Sequence, residues 1–330
     1  MKSFLYENKG EDLICKACRR FCFIKKGKSG FCGQRKNING KLSVPKGFVS
    51  SLAFDPIEKK PIYHFMPSRP TLSFGALGCN FTCPYCQNHS ISKPGDSCPV
   101  YPFTAEKFAD TAVKENIKIA VATYNEPAVF AEWAAEIFYV FRKKIKGAKI
   151  GVVSNGYFSE DTLKLWGPPD FINIDLKSFD EDIHRKITGA ELKEVLSSIE
   201  LCLSLGVWTE ITTLLVKNLN DSSAEIRKAA DYIKSLSSEI PWHITAYRPA
   251  YLMNIPATDK QDIEKAVFTA REMGLKHVYG GNVVGDSLGD TFCPSCGKKV
   301  YLRRGYLEYS NLLDKGKCPF CSYLLKGVWE

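Results

Sequence analysis

Residues 71–88, TLSFGALGCNFTCPYCQN, set a short apolar run directly before three cysteines. The run from 71 to 77 has the length and composition of a strand, and Gly78 closes it at a tight turn. Cys79, Cys83 and Cys86 follow in the spacing Cys-x3-Cys-x2-Cys. Three thiolates on one loop suit a metal cluster better than disulfides. A [4Fe–4S] cluster is ordinarily held by four cysteines, so three would leave one iron open. The rival reading is a structural zinc loop whose fourth ligand is His89.

Working outward, 330 residues are enough for one large α/β domain with small appendages. An apolar content of 45% with 25% charged residues excludes a disordered chain. The most apolar stretch, 120–141, is broken by Glu126, Pro127, Glu132 and Glu136, which excludes it as a membrane span. The N-terminal residues lack the apolar core and cleavage site of a signal peptide, so a cytoplasmic location is expected. Eleven of thirteen cysteines fall in three local clusters, which points to metal sites rather than bridges. Cys98 and Cys202 read as ordinary packed thiols. The net charge of +9 permits a phosphate-bearing or nucleic-acid partner without requiring one.

The two flanking clusters differ in pattern. Cys15, Cys18, Cys22 and Cys32 lie in a short basic, glycine-containing loop. Four thiolates there suit a tetrahedral zinc that pins a region too small for its own core, or an auxiliary iron–sulfur cluster. Near the C-terminus, Cys293-x2-Cys296 and Cys318-x2-Cys321 flank YLRRGYLEY. Paired knuckles around a hairpin read as a zinc ribbon, with a rubredoxin-like iron site as the alternative. Tyr301, Arg303, Arg304 and Tyr306 on that hairpin are candidates for nucleic-acid contact or for a solvated face. Prolines at 56, 61, 67 and 70 exclude a continuous helix before the central loop. Glu58, Lys59, Lys60 and His64 in that linker are candidates to face a substrate cleft, although a lone histidine such as His64 is as readily a packed structural residue.

After the loop, strand-like runs at 117–123, 149–154, 171–175, 208–216, 242–246 and 277–279 alternate with helical patterns at 104–115, 128–144, 159–165, 191–205, 222–236 and 260–273. Ser222 and Glu225 read as a capping box. Such alternation implies a parallel sheet with right-handed crossovers. Seven strands would make a partial barrel, and an open doubly wound sheet is the alternative. The expected organisation is a Cys-rich region with a β-rich linker over 1–70, a partial barrel over 71–288 and a zinc-ribbon-like unit over 289–330. Polar residues gather at the strand C-termini, where active sites of such folds lie. They are Cys79, Tyr124 to Pro127, Ser154 to Gly156, Asp175 with Lys177, Thr212 with Thr213, Tyr247 with Arg248, and Gly280 to Asn282.

The four N-terminal cysteines, DPIEKKPIYHF, GCNFTCPYCQN, TYNEP, SNGY, NIDLKSF and GGNV occur in an order that resembles radical S-adenosylmethionine (SAM) enzymes near the pyruvate formate-lyase activating enzymes, of the AmmeMemoRadiSam system type. The resemblance implies a radical SAM partial barrel. It implies that Cys79, Cys83 and Cys86 ligate the [4Fe–4S] cluster, with Tyr85 beside them, and that SAM chelates the open iron. It places Glu126 at the SAM amino group, Ser154 and Asn155 near its ribose or carboxylate, and Asp175 and Lys177 at its polar end. Tyr124 and Asn125 stand where the family carries two glycines. An electron donor such as ferredoxin or flavodoxin is implied, as is an association with Memo-like and AMMECR1-like proteins. The residues leave two functions open: a SAM-cleaving radical enzyme acting on a protein glycine, a nucleic acid or a phosphorylated molecule, or a multi-zinc binding module.

Overall fold

The computed structural model describes residues 5–95, 98–283, 287–305 and 308–330. Among these residues the largest sheet has eight strands. They are β1 (Ser51–Pro56), β2 (Pro70–Gly75), β3 (Ile119–Ala122), β4 (Lys149–Ser154), β5 (Phe171–Asp175), β6 (Trp208–Leu215), β7 (Trp242–Ala246) and β8 (Val278–Gly281). Each strand neighbours the next in sequence, and all pairings from β2 to β8 are parallel. An order that never reverses is the winding of a barrel, whereas a doubly wound sheet turns back at a switch point. Strands β1 and β8 are the two ends of the order, so the barrel is partial.

The seven parallel strands fall within two residues of the expected boundaries. One strand of the sheet, the single helical turn His89–Ser92 and a longer helix after β5 do not follow from the alternation. β1, inside the linker, adds antiparallel to β2 with Asp55 opposite Thr71. The chain outside the sheet forms α1 (Ala105–Lys114), α2 (Ala131–Lys144), α3 (Glu160–Trp166), α4 (Glu181–Thr188), α5 (Leu192–Ser204), α6 (Ser223–Leu236) and α7 (Lys260–Glu272). Helix α4 is two turns in which four of eight residues are charged, too short for its periodicity to show. It starts at Asp180, whose carboxylate accepts from Ile183 N, and stops at Gly189 in the left-handed region. The expected capping box at α6 is only half formed. Ser222 accepts from Glu225 N, but the Glu225 carboxylate accepts from Ser178 Oγ and Phe179 N instead. The reciprocal box occurs at α7, between Asp259 and Asp262.

Strand β3 is buried along its whole length and β5 along all but its last residue, as parallel strands covered on both faces must be. Phe74 on β2 meets Phe108 of α1 edge-on at 5.0 Å and packs also against Phe130 and Phe138. At the N-terminal end of the barrel a polar hub takes over. The Glu210 carboxylate accepts from Tyr63 N, His64 N and Trp208 Nε1, and pairs with His243 Nε2 at 2.6 Å. Gly151 on β4 lies across from Phe171 on β5. A Cβ there would sit 2.0 Å from Phe171 Cζ, so the ring occupies the space that the missing side chain leaves.

Gly151→Ala therefore overpacks a fully buried ring and is expected to destabilise the fold by about 1–3 kcal/mol. A lowered urea midpoint would bear this out. A midpoint equal to the parent's would contradict the packing described.

Candidate functional site

The loop that leaves β2 is shaped before any metal is considered. Gly78 takes φ +89°, and a Cβ would lie 2.5 Å from Gln34 Cγ and 2.9 Å from Cys32 O. The chain therefore turns sharply against the N-terminal knuckle. Phe81 N donates to Cys79 Sγ at 3.5 Å, and Cys86 N donates to Cys83 O at 3.3 Å. Burial pushes the Cys79 thiol well up, with Glu126 adding to it. Burial also pushes the Cys83 thiol up to about 11, while Lys177 pulls the other way. Such thiols gain from a cation that takes their protons' place.

Neighbouring strand ends complete the rim. Glu126, after β3, accepts from Ser154 Oγ at 3.0 Å, from Asn155 N at 2.9 Å and from Ala128 N at 3.0 Å. It is thus also the N-cap of the turn leading into α2, while its burial raises its pKa to about 7. Asn155 Nδ2 reaches Asn80 Oδ1 at 2.7 Å and lies 3.8 Å from Cys79 Sγ. Across the mouth, Asp175 holds Lys177 at 2.9 Å. Burial opposes the Lys177 charge, but Asp175 and then Cys83 keep its pKa above the ordinary lysine range. The cap of α4 is Asp180, so Asp175 is left to Lys177.

Tyr124 stands in the left-handed region at φ +74°, a conformation for which glycine is the default residue. Its hydroxyl donates to Asp55 Oδ2 at 3.1 Å, and Lys60 Nζ sits 4.9 Å from its ring centroid. The backbone path expected of a glycine pair is thus kept by a residue held in place from below.

Three buried polar atoms around this rim have no hydrogen-bond partner: Asn80 Nδ2, Tyr85 Oη and Thr212 Oγ1. Buried polar atoms are ordinarily satisfied, so a rim with three orphans beside three half-buried thiols has the donor set for a polar ligand and a thiolate-bound cluster. The residues fit the group. They fit a lone zinc poorly: the His89 ring stacks on Tyr251 at 4.7 Å, with Nδ1 toward Cys86 O. Nor do the three Sγ atoms join the set of thiols found within 4.8 Å of one another.

That set is Cys293, Cys296, Cys318 and Cys321. Cys293 and Cys321 Sγ are 3.6 Å apart, and Cys296 and Cys318 3.7 Å, near the roughly 3.8 Å edge of a tetrahedron with Zn–S of about 2.3 Å. The hairpin between the pairs corrects two expectations. Tyr301 and Arg303 are buried and unavailable to a nucleic acid. The Arg303 guanidinium lies between the rings of Tyr63 and Tyr301, at 4.1 and 4.2 Å, and donates to Tyr63 O. Arg304 is exposed, and Tyr306 lies outside the described residues. Glu58 and His64 likewise do not face a cleft. Glu58 is buried near Arg303, and His64 Nδ1 meets Lys326 O while its backbone accepts from Val328 N. They clamp the ribbon to the base of the barrel, and Lys60 is buried against Asp55.

At the opposite end, Cys18 and Cys32 of the N-terminal knuckle sit against the Cys79–Cys86 loop, while Cys15 meets Arg35 and Cys22 meets Phe31. Arg35 ties this knuckle to α2 through a two-point pair with Glu132 at 2.7 Å, and its Nε donates to Cys15 Sγ at 3.2 Å. Sequence reasoning missed Asn80, Arg20 and Lys93, whose importance comes only from what folds beside them. Position 80, inside the cysteine motif, was the one local signal. Of the other strand-end candidates, Tyr247 is buried with its hydroxyl on Met253 O, Arg248 is exposed and Asn282 donates to Ala246 O.

The family model described as "Radical SAM superfamily" matches residues 75–233. An uncharacterized protein of Methanocaldococcus jannaschii is 38% identical over 97% of both chains. A "Putative glycyl-radical enzyme activating enzyme" of the same organism is 32% identical, over 61% of this chain and 75% of that protein. In fold, the chain is similar to the crystal structure of Streptococcus suis SuiB bound to S-adenosylmethionine. That match has a TM-score of 0.52 at 13% identity, covering 70% of this chain and 53% of SuiB.

Replacing Cys79, Cys83 and Cys86 together by Ala is expected to remove about four irons per chain while the ribbon's metal stays. Metal analysis after anaerobic reconstitution checks this. Unchanged iron content would show that the loop does not hold the cluster.

Proposed function

The chain belongs to the radical SAM superfamily, and on that premise we propose that it is an activating enzyme that generates a glycyl radical on a partner protein. When bound, the reduced cluster supplies one electron to the SAM sulfonium, giving methionine and a 5′-deoxyadenosyl radical. What the chain itself contributes is placement and exclusion of water. Cys79, Cys83 and Cys86 hold three corners. Glu126, fixed by Ser154 and the Asn155 backbone, presents a carboxylate to the SAM amino group. Ser154 and Asn155 face the ribose or carboxylate, and Lys177 with Asp175 faces the cofactor's polar end. Tyr85 Oη and Thr212 Oγ1, buried with hydrogen-bonding capacity to spare, support that reading.

The observation that carries the reading is the convergence of these groups on one rim with three orphaned polar atoms. The activating-enzyme assignment draws its support from the relative of that name. The Memo-like and AMMECR1-like proteins implied by the family resemblance are the first partners to try.

Reduced, reconstituted protein is expected to convert SAM to equal amounts of methionine and 5′-deoxyadenosine, and deuterium from an α-labelled glycine of the partner should appear in the latter. Deuterium arriving only from a labelled nucleotide would overturn the choice of substrate. Glu126→Gln removes a charge-assisted contact worth about 1.5–3 kcal/mol, so SAM binding should weaken by roughly 10- to 100-fold. Equal affinity in a titration would remove Glu126 from the binding set.

A further inference from the structure

Residues 13–54 contain ten Lys and Arg and not one Asp or Glu, so the remainder of the chain is net −1. The whole positive excess therefore belongs to the N-terminal knuckle and its hairpin. Lys25, Lys28, Lys36 and Lys41 are exposed there and make no ion pair among the described residues. Backbone pairing brings them together: Asn37 N donates to Lys28 O, Ser29 bridges Lys36, and Ile38 pairs with Lys41. Three phenylalanines of the knuckle are also exposed: Phe21 at 48%, Phe23 at 57% and Phe31 at 45%. Apolar rings in a field of one charge mark an interaction surface rather than a solvated face.

The patch leads to the catalytic loop. Phe31 lies 3.5 Å from the Arg20 guanidinium and 5.2 Å from Lys93 Nζ. Arg20 Nε donates to Asn80 O at 2.6 Å, and Lys93 Nζ donates to Cys79 O at 3.4 Å. From the exposed ring, one cation on either side reaches the backbone that carries the first cluster thiol. Cys32 O packs on Gly78 beside them.

We infer that this surface docks an acidic one-electron donor protein, of the flavodoxin or ferredoxin class. The inference rests on the radical SAM reading, which requires an electron from outside. One electron leaves the donor, which is oxidised by one unit, and is consumed in reductive cleavage of the SAM carbon–sulfur bond. The location favours a donor over a nucleic-acid substrate. A substrate must enter the mouth of the barrel to meet the radical, whereas a donor needs only closeness to the cluster, and the patch touches the loop backbone at Asn80 and Cys79. Complementary charge would steer the encounter and make it salt-dependent.

The test compares the parent with Lys25→Glu/Lys28→Glu/Lys36→Glu, none of which touches the site. Binding of purified flavodoxin, measured by titration calorimetry at low salt, is expected to weaken about tenfold or more in the variant and to fall with added salt in the parent. Deoxyadenosine formation driven by reduced flavodoxin should drop correspondingly, while formation driven by a small deazaflavin photoreductant stays at the parent rate, which also shows that the variant folds. Unchanged flavodoxin binding, or loss of oligonucleotide binding with flavodoxin binding retained, would overturn the inference. Absence of deoxyadenosine from the parent with both reductants would instead count against the radical reading, and the binding arm would still decide the docking surface.

Discussion

Three half-buried thiols on one turn are the constraint around which this chain is arranged. Left to themselves Cys79 and Cys83 are a liability, because burial resists the ionisation that a metal needs. The surrounding residues make sense as answers to that problem. Lys177 brings a buried positive charge to Cys83, and Arg35 brings another to Cys15 in the adjoining knuckle. Asn155 brings its amide N–H to Cys79 and donates to Asn80 Oδ1. A site that must carry several thiolates out of solvent is surrounded by donors, and its few acceptors are tied down.

The two small cysteine-rich units have different mechanical tasks. The N-terminal knuckle leans on the loop itself: Cys32 and Gln34 occupy the space a side chain at position 78 would need, so only glycine fits that turn. The C-terminal ribbon braces the far end, where Arg303, Glu58 and His64 join it to the hub around Glu210. Polar hubs of this kind are costly when half satisfied and rigid when complete. Their position below the strands leaves the upper rim for the cofactor.

Much of this was legible in the sequence, for a physical reason. Metal-ligand spacing is local, so the Cys79–Cys86 loop and the ribbon pairs announce themselves without tertiary information. Parallel strands buried on both faces show as apolar runs, and their alternation with helices gave the barrel. What did not show depended on long-range burial. Nothing near His64 or Arg303 says that they will meet each other's neighbours across more than two hundred residues. Helix α4 hid behind its charged residues, and Glu225 was drawn from its cap by Ser178. Asn80 looked like filler between ligands. Tyr124 looked like a departure from a glycine pair, yet it adopts the glycine-like conformation.

The central claim is that the trio of loop thiols leaves one iron exposed to the amino and carboxylate groups of SAM. Electron–nuclear double resonance on the reduced protein, with isotopically labelled amino and carboxylate groups in SAM, addresses it directly. The account predicts hyperfine coupling from both labelled groups to the cluster. A reduced-cluster spectrum that does not change when SAM is added would contradict it.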